Sequence, residues 1–266
     1  MLTVSELFIY PIKSLGGIKL TSANLTDRGF ELDRRWMLVD HNMRFLTQRE
    51  YPQLSLLQVE VVPGGLQIFH KKNPGSNIII SADQHTNTIK PTVIWDDNCN
   101  AALVSPIADE WFSEILSIKC HLVFMPDASK REVDKNYAFK NQLTTFTDGY
   151  PLTIICQASL DDLNQRLAEP VPMNRFRPNI VFTGGSPYEE DRLGDFMING
   201  ITFHSIKPCA RCMIITIDQD ESIVNKEPLK TLSTYRMQNN KVYFGQNLLY
   251  DSVGRISTGD IIKMNN

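Results

Sequence analysis

Residues 201–218 read Ile-Thr-Phe-His-Ser-Ile-Lys-Pro-Cys-Ala-Arg-Cys-Met-Ile-Ile-Thr-Ile-Asp. Two runs rich in β-branched and aromatic residues, 201–206 and 213–217, flank a closely spaced pair of cysteines, and such runs favour extended backbone. The stretch therefore predicts strand, cysteine pair, strand. Working outward, the same texture recurs. Short apolar runs broken by Gly, Pro, Asn and Asp lie at 18–25, 36–40, 54–62, 65–70, 77–81 and 88–93, then at 152–156, 179–182, 241–244 and 255–264, the pattern of barrels and sandwiches. Two helices interrupt it. One starts at Ser105-Pro106, an N-cap followed by a first-turn proline, and carries Ile107, Trp111, Ile115 and Leu116 near helical spacing. The other starts near Ser159, with Asp162 at the capping-box offset and Leu160, Leu163 and Leu167 on one face. The chain is thus expected to be mainly β with a few helices, an α+β fold.

At 266 residues the chain exceeds the roughly 100–200 of a typical single domain, which predicts two closely packed domains. The polar stretch PDASKREVDKN at 126–136 offers few residues able to fill a core, so the boundary is placed there, giving domains 1–125 and 126–266. With 27 basic against 30 acidic residues, the chain has no cationic excess of the kind that binds phosphate backbones, and no nucleic-acid partner is expected. No apolar run approaches the roughly 18 residues needed to cross a bilayer, and the N-terminus has no basic leader before a long apolar stretch. No membrane partner is expected either. The cysteines, Cys99, Cys120, Cys156, Cys209 and Cys212, are odd in number and mostly scattered, which points to reduced thiols in the cytoplasm.

The pair Cys209-x-x-Cys212 carries the sharpest chemistry. Half of a zinc site is one reading, but the other three cysteines form no second pair and no histidine sits at finger-like spacing. A thioredoxin-type motif would open a helix, whereas the run after Cys212 reads as strand. Two buried structural cysteines are the bland alternative. Against it, Arg211 between the thiols and Lys207 just before them favour thiolate, the form that ligates soft and redox-active metals. His41, His70, His85, His121 and His204 form no constellation, and there is no Walker loop, HExxH or Ser-His-Asp order.

Several segments together resemble a known family. Asn174-Arg175-Phe176-Arg177-Pro178-Asn179-Ile180, Cys209-Ala210-Arg211-Cys212 running into Thr216-Ile217-Asp218, Lys226-Glu227-Pro228-Leu229 and Phe244-Gly245-Gln246-Asn247 are similar to the MOSC domain of amidoxime-reducing components. Tyr10-Pro11-Ile12-Lys13-Ser14, Asp33-Arg34-Arg35-Trp36 and Thr47-Gln48-Arg49 are similar to the β-barrel domain that precedes MOSC in those proteins. The resemblance implies an N-terminal β-barrel domain packed on a MOSC β-barrel domain, and a molybdenum-molybdopterin cofactor with a phosphate. It makes Cys212 the metal ligand and catalytic centre. It places Lys13, Ser14 and Arg34 near the phosphate, Arg177 and Asn179 on the pterin side, and Asp148 and Arg211 beside the cofactor. A dianionic phosphate needs fixed cations and donors, and a lysine, a hydroxyl and a guanidinium supply that mixture. Cys209, by the same comparison, is a supporting or packing residue, and Asp218 and Gln246 are expected to be structural.

The resemblance further implies reduction of N-hydroxylated small molecules. The family's bacterial members often carry an iron–sulfur ferredoxin domain, and the chain ends at Asn266 without its four clustered cysteines. No G-x-G-x-x-G fingerprint for a nicotinamide cofactor is present. Electrons are therefore expected from a separate electron-transfer protein. The alternative is a cofactor carrier or sulfur-transfer module without reductase activity.

Overall fold

The computed structural model describes residues 1–83 and 85–264. The chain opens with β1 (Thr3–Ile9), β2 (Ile18–Leu20), β3 (Ser22–Leu25) and β4 (Trp36–Val39). A meander of β5 (Leu57–Val62), β6 (Gly65–His70) and β7 (Asn73–Ser81) follows, then the hairpin of β8 (Ile89–Ile94) and β9 (Asp97–Leu103). After α1 (Pro106–Leu116) come β10 (His121–Phe124) and a small hairpin, β11 (Arg131–Glu132) with β12 (Leu143–Thr144). The rest of the chain supplies β13 (Leu152–Cys156), α2 (Gln157–Arg166), β14 (Ile180–Thr183), β15 (Asp195–Ile198), β16 (Ile201–Arg211), α3 (Leu229–Ser233), β17 (Met237–Gln238), β18 (Lys241–Tyr250), β19 (Gly254–Ser257) and β20 (Ile262–Met264). The fold is mainly β with few helices, as the sequence indicates.

One nine-stranded sheet organises the molecule, in the order β2-β1-β14-β13-β18-β16-β15-β20 with β17 on β18. Its centre explains the sequence pattern. Along β13 and β14, Ile154, Ile180 and Phe182 enter one apolar cluster while Ile155 and Val181 enter another on the opposite face. Strands covered on both faces read as continuous apolar runs. The parallel pair β13/β14 is joined through α2, as a parallel connection requires a crossover. The strand that opens the chain, β1, pairs with β14, so the N-terminal segment is built into the sheet of the C-terminal half. The remaining N-terminal strands form β4-β10-β9-β8 and β5-β6-β7, which enclose a core with Trp36, Leu38 and Phe112.

Several local expectations are corrected. Residues 54–56 belong to a 3₁₀ turn, Pro52–Leu56, with proline in its first turn, and the strand starts only at Leu57. The run 213–217 is not a strand: Met213–Thr216 is a 3₁₀ turn whose Ile215 and Thr216 are buried, local propensity yielding to packing. The strand before it is longer than its apolar pattern, because β16 continues through Cys209 on two irregular pairings with β18. Residues 255–264 split into β19 and β20 around Gly259, whose φ is 92°. In α1 the buried stripe is Ala108, Phe112 and Leu116, and Ile107 is 71% exposed. α2 begins at Gln157, and Ser159 works as a buried hydroxyl rather than a cap.

That hydroxyl accepts the Tyr188 backbone N–H at 2.7 Å and donates to Glu190 Oε2 at 2.7 Å. Glu190 is fully buried, and its Oε1 has no hydrogen-bond partner among the described residues. Burial pushes its carboxyl up to about 7, against the lowering effect of the Ser159 hydrogen bond. A carboxyl raised above its unfolded value stabilises the fold at acidic pH, and that contribution is lost as pH rises through the folded value. Native stability should therefore fall between about pH 4.5 and 7 by up to roughly 1.4 kcal/mol per pH unit from this group. Glu190→Gln should flatten that slope and be the more stable protein at pH 8. Urea unfolding at several pH values measures it, and an unchanged slope in the variant rejects the assignment.

Candidate functional site

Between the two halves lies a cleft with a cavity volume of about 310 Å³. Its N-terminal wall begins where β1 ends. The segment 10–14 is tied to β4 by a bridge between Ile12 and Trp36 and by Lys13 N–H donating to Trp36 O at 2.8 Å. This turns the Lys13 ammonium inward, where it donates to Phe146 O at 2.9 Å and to Asp148 Oδ1 at 2.5 Å. Burial lowers the Lys13 ammonium to about 8, with Asp148 opposing that shift. For Asp148 desolvation acts upward, but Lys13 and Arg49 outweigh it and hold the carboxyl well below its usual range. Ser14 follows with φ 70°, and its carbonyl accepts from Gln48 Nε2 at 2.6 Å.

The second wall is a stack. Tyr10 is buried, and the guanidinium groups of Arg34 and Arg177 sit 4.3 Å and 4.2 Å from its ring centroid. Cation–π attraction to one ring lets two like charges share a small volume. Arg34 is also paired: it donates to Asp33 Oδ2 at 2.6 Å and to Asn179 Oδ1 at 3.2 Å. Asp33 is 1% exposed, and burial raises its carboxyl despite Arg34 beside it. Arg177 has no hydrogen-bonded acceptor for its guanidinium among the described residues, and burial lowers it to about 10. Ser14, Arg34 and Arg177 all have left-handed backbone, with φ of 70°, 49° and 51°. Such conformations cost non-glycine residues energy and cluster at functional sites.

The floor is β16. Cys209 and Cys212 both line the cleft and are half-buried. Both are free thiols. Burial raises the Cys209 thiol, with Arg211 partly offsetting it. Arg211 itself turns into the protein, donating to Phe244 O at 2.7 Å and Phe176 O at 2.8 Å. Gly245 makes room for it: with φ 80°, a Cβ there would stand 2.9 Å from Ile154 O and 3.1 Å from Arg211 Nη2. Lys207 lies over the Tyr137 ring at 4.3 Å rather than against the thiols. Cys99, Cys120 and Cys156 are buried in three separate apolar clusters, each raised to about 11 chiefly by burial.

The cleft thus gathers Lys13, Ser14, Arg34, Asp148, Arg177, Asn179, Arg211 and Cys212, all singled out in the sequence. It adds Arg49, Arg175, Lys207 and Lys241. Arg49 and Arg175 stand inside the quoted motifs Thr47-Gln48-Arg49 and 174–180, so the signal for them was present. Tyr10 was quoted too, but nothing local showed that its ring would carry two arginines. Asp218 is structural as expected, pairing with Arg175 at 2.7 Å and accepting the N–H groups of Asp220 and Glu221. Gln246 donates to Asp191 at 3.2 Å.

Eight basic side chains against one carboxylate, Asp148, line the cleft. Several of their buried donors lack acceptors among the described residues: Arg211 Nη2, and Arg175 Nε and Nη1. Buried donors normally find partners, so the cleft is complementary to a ligand with more than one negative charge. Among the described residues no three His, Cys, Asp or Glu side chains form a metal cage. A metal held here would take fewer than three ligands from such side chains and the rest from a bound group.

Two β halves sharing a cysteine-bearing, cation-lined cleft define a class of cofactor-binding protein, and comparison with known families gives the particular one. The model for the MOSC N-terminal beta barrel domain matches residues 1–119, and that for the MOSC domain matches residues 141–263. The chain belongs to the MOSC family. It is 30% identical to mitochondrial amidoxime reducing component 2 of Bos taurus, over 97% of this chain and 82% of that protein. It is 29% identical to mitochondrial amidoxime-reducing component 1 of Homo sapiens, over 97% and 81%. A molybdenum cofactor sulfurase of Oryza sativa subsp. japonica is 29% identical over 94% of this chain and 33% of that protein.

Asn179 ties the Asp33–Arg34 pair to the sheet. Its Oδ1 accepts from Thr153 N and Arg34, and its Nδ2 donates to Phe8 O and Asp33 Oδ2, each at 3.2 Å. Asn179→Leu should cost about 3–5 kcal/mol in urea unfolding, because it strands a buried carboxylate and the guanidinium paired with it. A loss below about 1 kcal/mol would show that water replaces the amide without penalty.

Proposed function

We propose that this chain holds a molybdenum-molybdopterin cofactor through the Cys212 thiolate and reduces N-hydroxylated small molecules with electrons from a separate donor protein. The observation that carries the reading is the convergence, in one cleft, of Cys212 with an excess of basic side chains whose donors lack acceptors. Soft thiolate ligation suits a redox metal, and fixed cations suit the phosphate of a pterin. The names of the amidoxime-reducing relatives support the substrate class. The rice sulfurase supports a second reading, a carrier or sulfur-transfer module.

Lys13 and Arg34 are assigned to the phosphate, with Ser14 as a hydroxyl donor, and Arg177 and Asn179 to the pterin side. Asp148 holds the Lys13 ammonium in place, and Asp33 with Asn179 holds Arg34. Arg211 braces the end of the strand that leads to Cys212, and desolvation favours the neutral thiol at Cys209. When bound, molybdenum supplies the two-electron redox chemistry that no side chain here can supply. Breaking the N–O bond of an N-hydroxy group takes two electrons and two protons and yields the reduced nitrogen compound and water. All five cysteines are free, which fits a reducing compartment such as the cytoplasm. No helix among the described residues is long and apolar enough to cross a membrane.

Cys212→Ser should abolish molybdenum binding and turnover, whereas Cys209→Ser should keep most of both, measured by metal analysis on protein from a host that makes the cofactor. Lys13→Ala or Arg177→Ala should weaken pterin retention about ten- to a hundredfold, the scale of one lost charge-assisted contact, with the apo-protein melting temperature little changed. Loaded protein should reduce an amidoxime with reduced viologen and stay idle with NADH alone. Full molybdenum loading without viologen-driven turnover would favour the carrier.

A further inference from the structure

The β8/β9 hairpin turns through Trp95-Asp96, since Ile94 pairs directly with Asp97. Trp95 has φ 54°, a left-handed position that such turns normally give to Gly, Asn or Asp and where a bulky side chain is a genuine outlier. The indole is nevertheless 40% exposed, so burial of an apolar side chain does not explain it. It is pinned from three directions. Its ring lies 4.9 Å from Phe45, the Arg49 guanidinium lies 4.5 Å from its centroid, and Nε1–H donates to Asp148 Oδ1 at 3.3 Å. Arg49 also reaches Asp148 Oδ2 at 3.4 Å. Arg49 and Asp148 line the cleft, and the Asp148 side chain is 58% exposed, so the indole borders the open rim of the cleft. A strained aromatic side chain held rigid at a rim is a preformed contact surface, with little entropy left to lose on binding.

Resting on the reductase reading above, we propose that Trp95 is a specificity-determining residue, an aromatic lip against which the ring of an aryl N-hydroxy substrate packs while its polar group enters the cleft. A small aliphatic hydroxylamine, which has no ring to place there, would gain nothing from it.

The test uses molybdenum-loaded protein with reduced viologen, comparing an aryl amidoxime with methylhydroxylamine. Trp95→Asn suits the left-handed backbone, so the fold should hold. It should reduce kcat/KM for the aryl substrate about tenfold more than for methylhydroxylamine, through KM, the scale of a lost aromatic contact. Trp95→Phe, which keeps a ring, should recover most of the discrimination. A readout independent of turnover is quenching of tryptophan fluorescence by the aryl amidoxime. It should be present in the natural protein and lost in Trp95→Phe, where only Trp36 and Trp111 remain. Equal loss for both substrates, no loss for either, or a fall in pterin content would overturn the proposal, as would absence of quenching. Quenching at Trp95 without turnover of either substrate would instead sink the reductase reading and leave the lip standing.

Discussion

The buried Asp33 carboxylate is the constraint on which the site rests. It receives the Tyr10 backbone N–H at 2.7 Å, Arg34 and the Asn179 amide, and it is almost wholly out of water. An unpaired carboxylate there would be prohibitively costly, so these groups are held together as a set. Asn179 belongs to that set and also to the backbone ladder that joins β1 to β14, since Phe8 N–H donates to Asn179 O at 2.9 Å. Orientation of the cleft arginines and pairing of the first strand with the distant sheet are thus one problem solved by one network.

The fold places its cations before any ligand arrives. Arg34 and Arg177 share the Tyr10 ring, and burial already lowers Lys13 and Arg177. Three residues of the site hold left-handed backbone. The gathered positive charge and its desolvation favour an anionic ligand, which would offset both. The expected consequence is a protein stabilised by its cofactor through mass action, with the cleft shaped in advance rather than organised on binding.

How much of this was legible in the sequence follows from the range of the interactions. Strands such as 65–70 and 152–156 announce themselves by local composition, and the Ser105 cap is a local signal. That Lys13, Arg34, Arg177 and Cys212 would be worth following together was legible through motifs, and they line one cleft although 198 residues of chain lie between the first and last of them. What stayed hidden depends on partners remote in sequence. The run after Cys212 has the composition of a strand, but burying Ile215 and Thr216 turns it into a 3₁₀ turn. The thiolate-favouring effect expected of Arg211 is present at Cys209 but outweighed by desolvation, the Arg211 side chain itself being bound to two carbonyl groups, and Lys207 lies over an aromatic ring. Proximity along the chain gave charge but not direction.

The pairing of β1 with β14 also bears on how the cleft can work. In a hinge enzyme, two lobes separate by rotating about a few loop residues. Here Tyr10 and Lys13 follow directly on a strand that lies inside the nine-stranded sheet of the other half, and parting the halves would break that ladder. Motion of this kind would expose a buried carboxylate and its hydrogen-bonded partners together. The shared ladder resists separation of the cleft walls, and the exposed Asp148 side chain marks a solvent-facing part of the rim. Selection among ligands then falls to the side chains at that rim rather than to closure of one half upon the other.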